Sequence, residues 1–297
     1  MITKTIISSV IKSKADNRCG VNALLAVDDI LRIGVYSESV VSGGLEKASK
    51  PEAVDTTSSG CTDRRASDLP VQIFGLAEGI AAGSIGRIAA VTALESLLFD
   101  IGEYIRKHDS KKLDIADFAD LISENADHAV RQQLTAWQGM QIGTSLAWIM
   151  IENDVAYTYS VGDALLALFR DNKLYRITDP INKSDMVAQD FFLGYRSKES
   201  RLIPANLNRM PLHKGDVILI LSSEITKVLT DERIAEILSR PEAFASVADS
   251  ICEAARYEGS IYETAVLTVK VHSIEEQPSA PIFQKEKPVK KSRLKKI

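Results

Sequence analysis

Apolar positions along the chain fall into blocks of two periods, and the blocks alternate. Residues 25–37 (LAVDDILRIGVYS) are rich in strand formers. Residues 71–77 (VQIFGLA) make a short, mainly apolar run that predicts a buried strand ending at Glu78-Gly79. The period then lengthens. Ile88, Val91, Leu94, Leu98, Ile101 and Ile105 recur at helical spacing across 86–107, and residues 115–134 repeat the pattern, so two amphipathic helices follow one another. From Gln141 the period shortens again. Residues 143–151, 154–161, 164–170 and 173–177 are four β-type runs divided by Glu-Asn-Asp, Gly-Asp and Asp-Asn-Lys turns, which predicts an antiparallel meander. A strand at 217–221, helices at 231–239 and 241–257, and a closing strand at 265–271 complete the order. Thr230 or Asp231 is placed to cap the first of these helices, and Pro241 suits a first helical turn.

Paired helices between blocks of antiparallel strands predict an α+β layered domain. With no GxGxxG after a strand and no GxxxxGK(S/T), Rossmann and P-loop sites are excluded. The polar stretch 42–68 predicts a long surface loop or insertion, and the Pro-, Lys- and Glu-rich residues from 274 on hold too little apolar content to pack. One domain over 1–273 with a disordered basic tail at 274–297 is the expected organisation.

Composition narrows the function classes. The 297 residues are 45% hydrophobic and 26% charged, enough for a sizeable core. The net charge of −4 divides unevenly: residues 284–297 carry +6, which leaves −10 on the rest. An acidic body argues against nucleic-acid binding except through the tail, and no aromatic residue follows Phe283 to stack on a base. Cys19, Cys61 and Cys252 form no CxxC, and the four histidines form no HExxH, so a disulfide scaffold and a histidine-built metal site are excluded. Reduced thiols point to a cytoplasmic protein. No apolar stretch approaches the ~20 residues that span a bilayer, and the N-terminal residues lack the apolar core and cleavage site of a signal peptide.

Four stretches, taken in order, carry a resemblance. They are FGLAEGIAAGSIGRIAA (74–90), GTSLAWIMIENDVAYTYSVGDALLALFRDNKLYRIT (143–178), GDVILILSSEITKVLTDERIAEIL (215–238) and GSIYETAVLTVKV (259–271). Together they resemble the strand-to-helix, Gly-Asp, Ser-Asp-Gly and Asp-Asn segments of the protein phosphatase 2C (PPM) family of metal-dependent serine/threonine phosphatases, and the resemblance implies a bacterial-type signalling protein. The resemblance implies an α-β-β-α sandwich of two antiparallel sheets flanked by helix pairs. It also implies two Mn²⁺ or Mg²⁺ ions held by carboxylates, which activate a bridging water against phosphoserine or phosphothreonine.

Placed on those motifs, the chain keeps few ligands. Arg18 stands for the phosphate-contacting arginine, but the acidic positions after it are Asn22 and Ala23. Glu78, followed by Gly79, replaces the metal-binding Asp, and Ala81 and Ala82 replace two glycines. Ser223 replaces the Asp of Ser-Asp-Gly and Tyr262 that of Asp-Asn; Glu224 and Glu263 reach ligand positions only if the match slips by one residue. Asp163 alone is unchanged. Glu78, Gly79 and Asp163 are thus candidate remnants of a metal site, each with a plain structural alternative as a turn or strand-end residue. The replaced carboxylates predict a pseudophosphatase, a binding or regulatory module without a cofactor, whose partner is another protein, a phosphoprotein among the candidates. The alternative is an active, divergent phosphatase that uses Mn²⁺ or Mg²⁺.

Overall fold

The computed structural model describes residues 2–12, 22–27, 33–36, 71–80, 84–108, 115–133, 143–178, 192–194, 206–240 and 244–275. Arg18, the stretch 42–68, Pro241 and residues 276–297 lie outside them. The strands are β1 (Ile2–Lys12), β2 (Asn22–Val27), β3 (Ile33–Tyr36), β4 (Val71–Gly79), β5 (Thr144–Glu152), β6 (Val155–Val161), β7 (Leu165–Arg170), β8 (Lys173–Arg176), β9 (Asn206–Pro211), β10 (Val217–Leu221) and β11 (Thr264–Glu275). The helices are α1 (Ser84–His108), α2 (Ile115–Gln133), α3 (Ser223–Val228), α4 (Asp231–Leu238) and α5 (Val247–Tyr257).

Alternation along each strand builds the layers, because successive side chains leave a sheet on opposite faces. In β4, Phe74 and Leu76 enter a core between two sheets, while Ile73 and Ala77 face α1 and α2. In β10, Ile218 and Ile220 meet that same inter-sheet core, while Val217, Leu219 and Leu221 face α4 and α5. The sheets run β1-β11-β10-β7-β8 and β3-β2-β4-β5-β6-β9, with every pairing antiparallel. The result is the predicted α+β sandwich of two antiparallel sheets with helices on both outer faces. No helix of the described residues is long and apolar enough to cross a membrane.

Two of these expectations change, and two further strands are present. The four runs from 143 to 177 are not one meander: β5 and β6 pair in one sheet, β7 and β8 in the other, and the chain crosses between sheets at Gly162-Asp163. The first strand and β9 carry no clear apolar period. In β1 the buried residues include Thr3, Thr5 and Ser8, whose polar groups are satisfied across the molecule. The Thr5 hydroxyl donates to Gln72 Oε1 at 2.6 Å, and Gln72 Nε2 donates to the Thr3 carbonyl at 2.6 Å. Those bonds join the two sheets at one edge. Finally, the closing strand, expected over 265–271, runs from Thr264 to Glu275 because it pairs with β1 as far as Ile2. The N-cap at Thr230 is present: its hydroxyl accepts from Arg233 N.

Gly162 makes the crossover possible. Its φ is +88°, and a Cβ there would lie 2.5 Å from Ser145 Cβ. Gly215 has φ +95° with nothing within 4 Å of the corresponding position. Gly215→Ala is therefore expected to cost about 1–2 kcal/mol, the left-handed penalty alone. Gly162→Ala is expected to cost about 1–3 kcal/mol more from overpacking. Urea unfolding followed by circular dichroism checks the difference, and equal losses would mean that the crossover accommodates a side chain.

Candidate functional site

The motif positions meet at one end of the sandwich, where β4 and β10 finish. Glu78 is the penultimate residue of β4, and Asn22 and Ala23 sit beside it on β2, in register with Glu78 and Ala77. Asp163 lies in the crossover between β6 and β7. Ser222 to Glu224 form the passage from β10 into α3, and residues 260–263 lead into β11. The Ser222 amide donates to the Ala265 carbonyl at 2.9 Å and the Ala265 amide donates to Ser222 Oγ at 3.0 Å, which locks these last two segments together.

Gly79 is needed for packing. A Cβ at this position would fall 2.1 Å from the Gly86 carbonyl oxygen, so the end of β4 and the first turn of α1 approach backbone to backbone.

Both oxygens of the Glu78 carboxylate are taken by one residue. Ser223 N donates to Oε2 at 2.8 Å and the Ser223 hydroxyl donates to Oε1 at 2.8 Å. Burial pushes the Glu78 carboxyl above its ordinary range; the Ser223 hydrogen bonds and the Lys227 charge oppose this, and the Asp163 charge adds to it. Glu224 is buried beside it but turns to other partners. Its Oε2 accepts from Lys227 Nζ at 3.0 Å, and its Oε1 from the Ser260 hydroxyl at 3.2 Å and Ile261 N at 3.4 Å. The Lys227 ammonium also stands 6.0 Å from the centre of the exposed Tyr262 ring. Glu263 is buried at the start of β11.

The sequence matches no protein-family model, and no curated protein is detectably similar to it. Solved structures do match. The serine/threonine phosphatase of S. agalactiae has a TM-score of 0.64 at 14% identity, over 90% of this chain and 100% of that one. The catalytic domain of the serine/threonine protein phosphatase PstP, solved with two manganese ions, has a TM-score of 0.61 at 16% identity, over 91% of this chain and 100% of that one. PppA of Pseudomonas aeruginosa, described as a key regulatory component of T6SS, has a TM-score of 0.56 at 13% identity, over 90% and 99%. The chain has the protein phosphatase 2C-like fold.

Within that fold, Glu78, Asp163, Ser223 and Glu224 converge, whereas Arg18 lies outside the described residues and Asn22 and Ala23 are placed by backbone alone. Among the described residues no group of three or more His, Cys, Asp or Glu side chains is placed to hold a metal ion. Glu78 differs from the solvated turn residue that its place before a glycine suggests: it is half-buried, and both carboxylate oxygens are bonded to Ser223. Lys227 was not apparent from the motifs. The available signal was its spacing, three residues after Glu224 and four after Ser223, which sets all three on one side of a helical turn.

The raised Glu78 pKa has a testable sign. Below the ordinary carboxylate range the group is protonated in both the folded and unfolded chain. As pH rises the unfolded chain loses this proton first, so the folded state loses stability between the ordinary and the raised pKa. Gln at this position has no such dependence. The stability advantage of the native protein over Glu78→Gln is expected to be largest at about pH 4 and to shrink toward neutrality. Thermal melts of both proteins across that range check it, and an advantage that grows with pH would show that Ser223 and Lys227 outweigh burial.

Proposed function

We propose that the chain is a pseudophosphatase: a binding or regulatory module on the protein phosphatase 2C-like fold, in which direct hydrogen bonds replace the metal centre. The observation that carries this reading is the Glu78–Ser223 contact, in which both carboxylate oxygens accept from the residue standing where the motif has a second carboxylate.

PstP was solved with two manganese ions. Such a pair brings about +4 of charge and requires several carboxylate oxygens to offset dehydration and mutual repulsion. Here the Ser223 hydroxyl is neutral and is used as a donor, Glu78 accepts from it, and Glu224 accepts from an ammonium. The residues present do not fit a binuclear centre. A protein partner, a phosphoprotein among the candidates, suits a fold retained without its ligands, and the regulatory description of PppA supports the same reading. The second reading is an active, divergent Mn²⁺- or Mg²⁺-dependent phosphatase. It draws on the electrostatic proximity of Glu78 and Asp163.

Hydrolysis of an aryl phosphate and of a phosphothreonine peptide, with millimolar Mn²⁺ or Mg²⁺ and beside a competent phosphatase of this fold, separates the two. Turnover is expected not to exceed that of the Glu78→Ala, Asp163→Ala double variant. Turnover that a chelator and Glu78→Ala both abolish would overturn the pseudophosphatase reading in favour of the enzyme.

A further inference from the structure

We propose that Lys227 is the resident cation of this centre and excludes divalent ions from it, a role that rests on the non-catalytic reading above. Lys227 follows Ser223 by four residues on α3, so its side chain rises from the same side of the helix as the Ser223–Glu78 contact. Its ammonium is 3.0 Å from Glu224 Oε2 and 6.0 Å from the centre of the Tyr262 ring. Its charge also favours the ionised form of Glu78. Three residues at ligand positions or one residue from them, Glu78, Glu224 and Tyr262, thus respond to one ammonium.

An i,i+3 pair on an exposed helix face is ordinarily worth little, because both partners are solvated and mobile. This pair differs on the carboxylate side. The Glu224 side chain is 6% exposed, and its other oxygen is engaged by Ser260 and Ile261. The carboxylate is fixed, and the ammonium beside it has an aromatic face as a second attraction. Part of the Lys227 side chain remains open to solvent and borders a groove lined also by Arg176, Thr226 and Asp231. An entering divalent ion therefore meets a positive charge in a partly enclosed setting, where repulsion is stronger than in bulk water. Restoring a ligand alone leaves that charge in place.

The test uses the full chain and Mn²⁺ as the probe. A carboxylate is supplied by Ser223→Asp, and Mn²⁺ affinity is measured by calorimetry for this variant, for Ser223→Asp with Lys227→Met, and for Ser223→Asp with Lys227→Arg. Removing the charge is expected to tighten Mn²⁺ binding about tenfold or more over Ser223→Asp alone, and the arginine version, which keeps the charge, is expected to bind no tighter than Ser223→Asp. Equal affinities with methionine and lysine at 227, absence of binding in both included, would overturn the proposal and leave the pseudophosphatase reading standing. Tight Mn²⁺ binding by the native protein together with chelator-sensitive turnover would instead overturn that parent reading. Circular dichroism melts report folding, and Lys227→Gln serves as the uncharged variant if the methionine version does not fold.

Discussion

The apolar interface between the two sheets is the constraint from which the rest follows. Phe74, Leu76, Ile149, Leu166, Ile218, Ile220, Leu267 and Val269 are buried in it, and they come from strands of both sheets. Facing sheets pack about 10 Å apart, so each strand must give alternate side chains to the interface and the others to a helix layer. That requirement sets Phe74 and Leu76 of β4 and Ile218 and Ile220 of β10 into the same core. It also means that the two strands finish side by side at the same end of the sandwich, where apolar packing stops and polar contacts across the gap begin. The site is the place where the core gives out.

At that end the replacements are consistent with one another. Two carboxylates facing each other across a partly buried gap repel unless a cation lies between them. With serine at 223, the position opposite Glu78 becomes a donor, and its amide and hydroxyl satisfy both oxygens. Glutamate at 224 would add a buried charge, but Lys227 one turn on neutralises it, and Ser260 with Ile261 takes its remaining oxygen. Each of these residues differs from the ligand expected at its motif position. On the proposed non-catalytic reading, together they leave the polar groups of this end satisfied from within the chain.

Much of the architecture was legible because long amphipathic helices and apolar strands advertise their period. The segments for β4, α1, α2, β5, β6, β7, β8, β10, α4 and β11 all lie close to their observed bounds. The strands without an apolar period were not legible. Thr3, Thr5 and Ser8 of β1 are buried through hydrogen bonds to Gln72 and across to α5 and β11, and hydrophobicity carries no trace of such partners. The crossover at Gly162 was hidden for a related reason: Gly-Asp reads as a hairpin turn, and only the space beside Ser145 distinguishes it from one. Of the site, the motifs singled out Glu78, Asp163 and Ser223 as positions, and the fold brings them to one end. The motifs could not reveal that Glu78 and Ser223 bond directly, because that is a distance between segments far apart in the chain.

The way this end is held together bears on what a partner would meet. A centre built on ions changes charge and shape as ions enter and leave, so the loops around it have at least two states. On the proposed non-catalytic reading, the hydrogen bonds between Glu78 and Ser223 and around Glu224 hold one arrangement without a divalent cation. Glu224 in particular anchors Ser260 and Ile261, and so sets the course of the segment that displays the exposed side chains of Ile261 and Tyr262. On the non-catalytic reading, the buried glutamate acts on the surface through that segment: it orders the backbone beneath two exposed apolar side chains before any partner arrives, and ordering in advance reduces the entropy lost on binding.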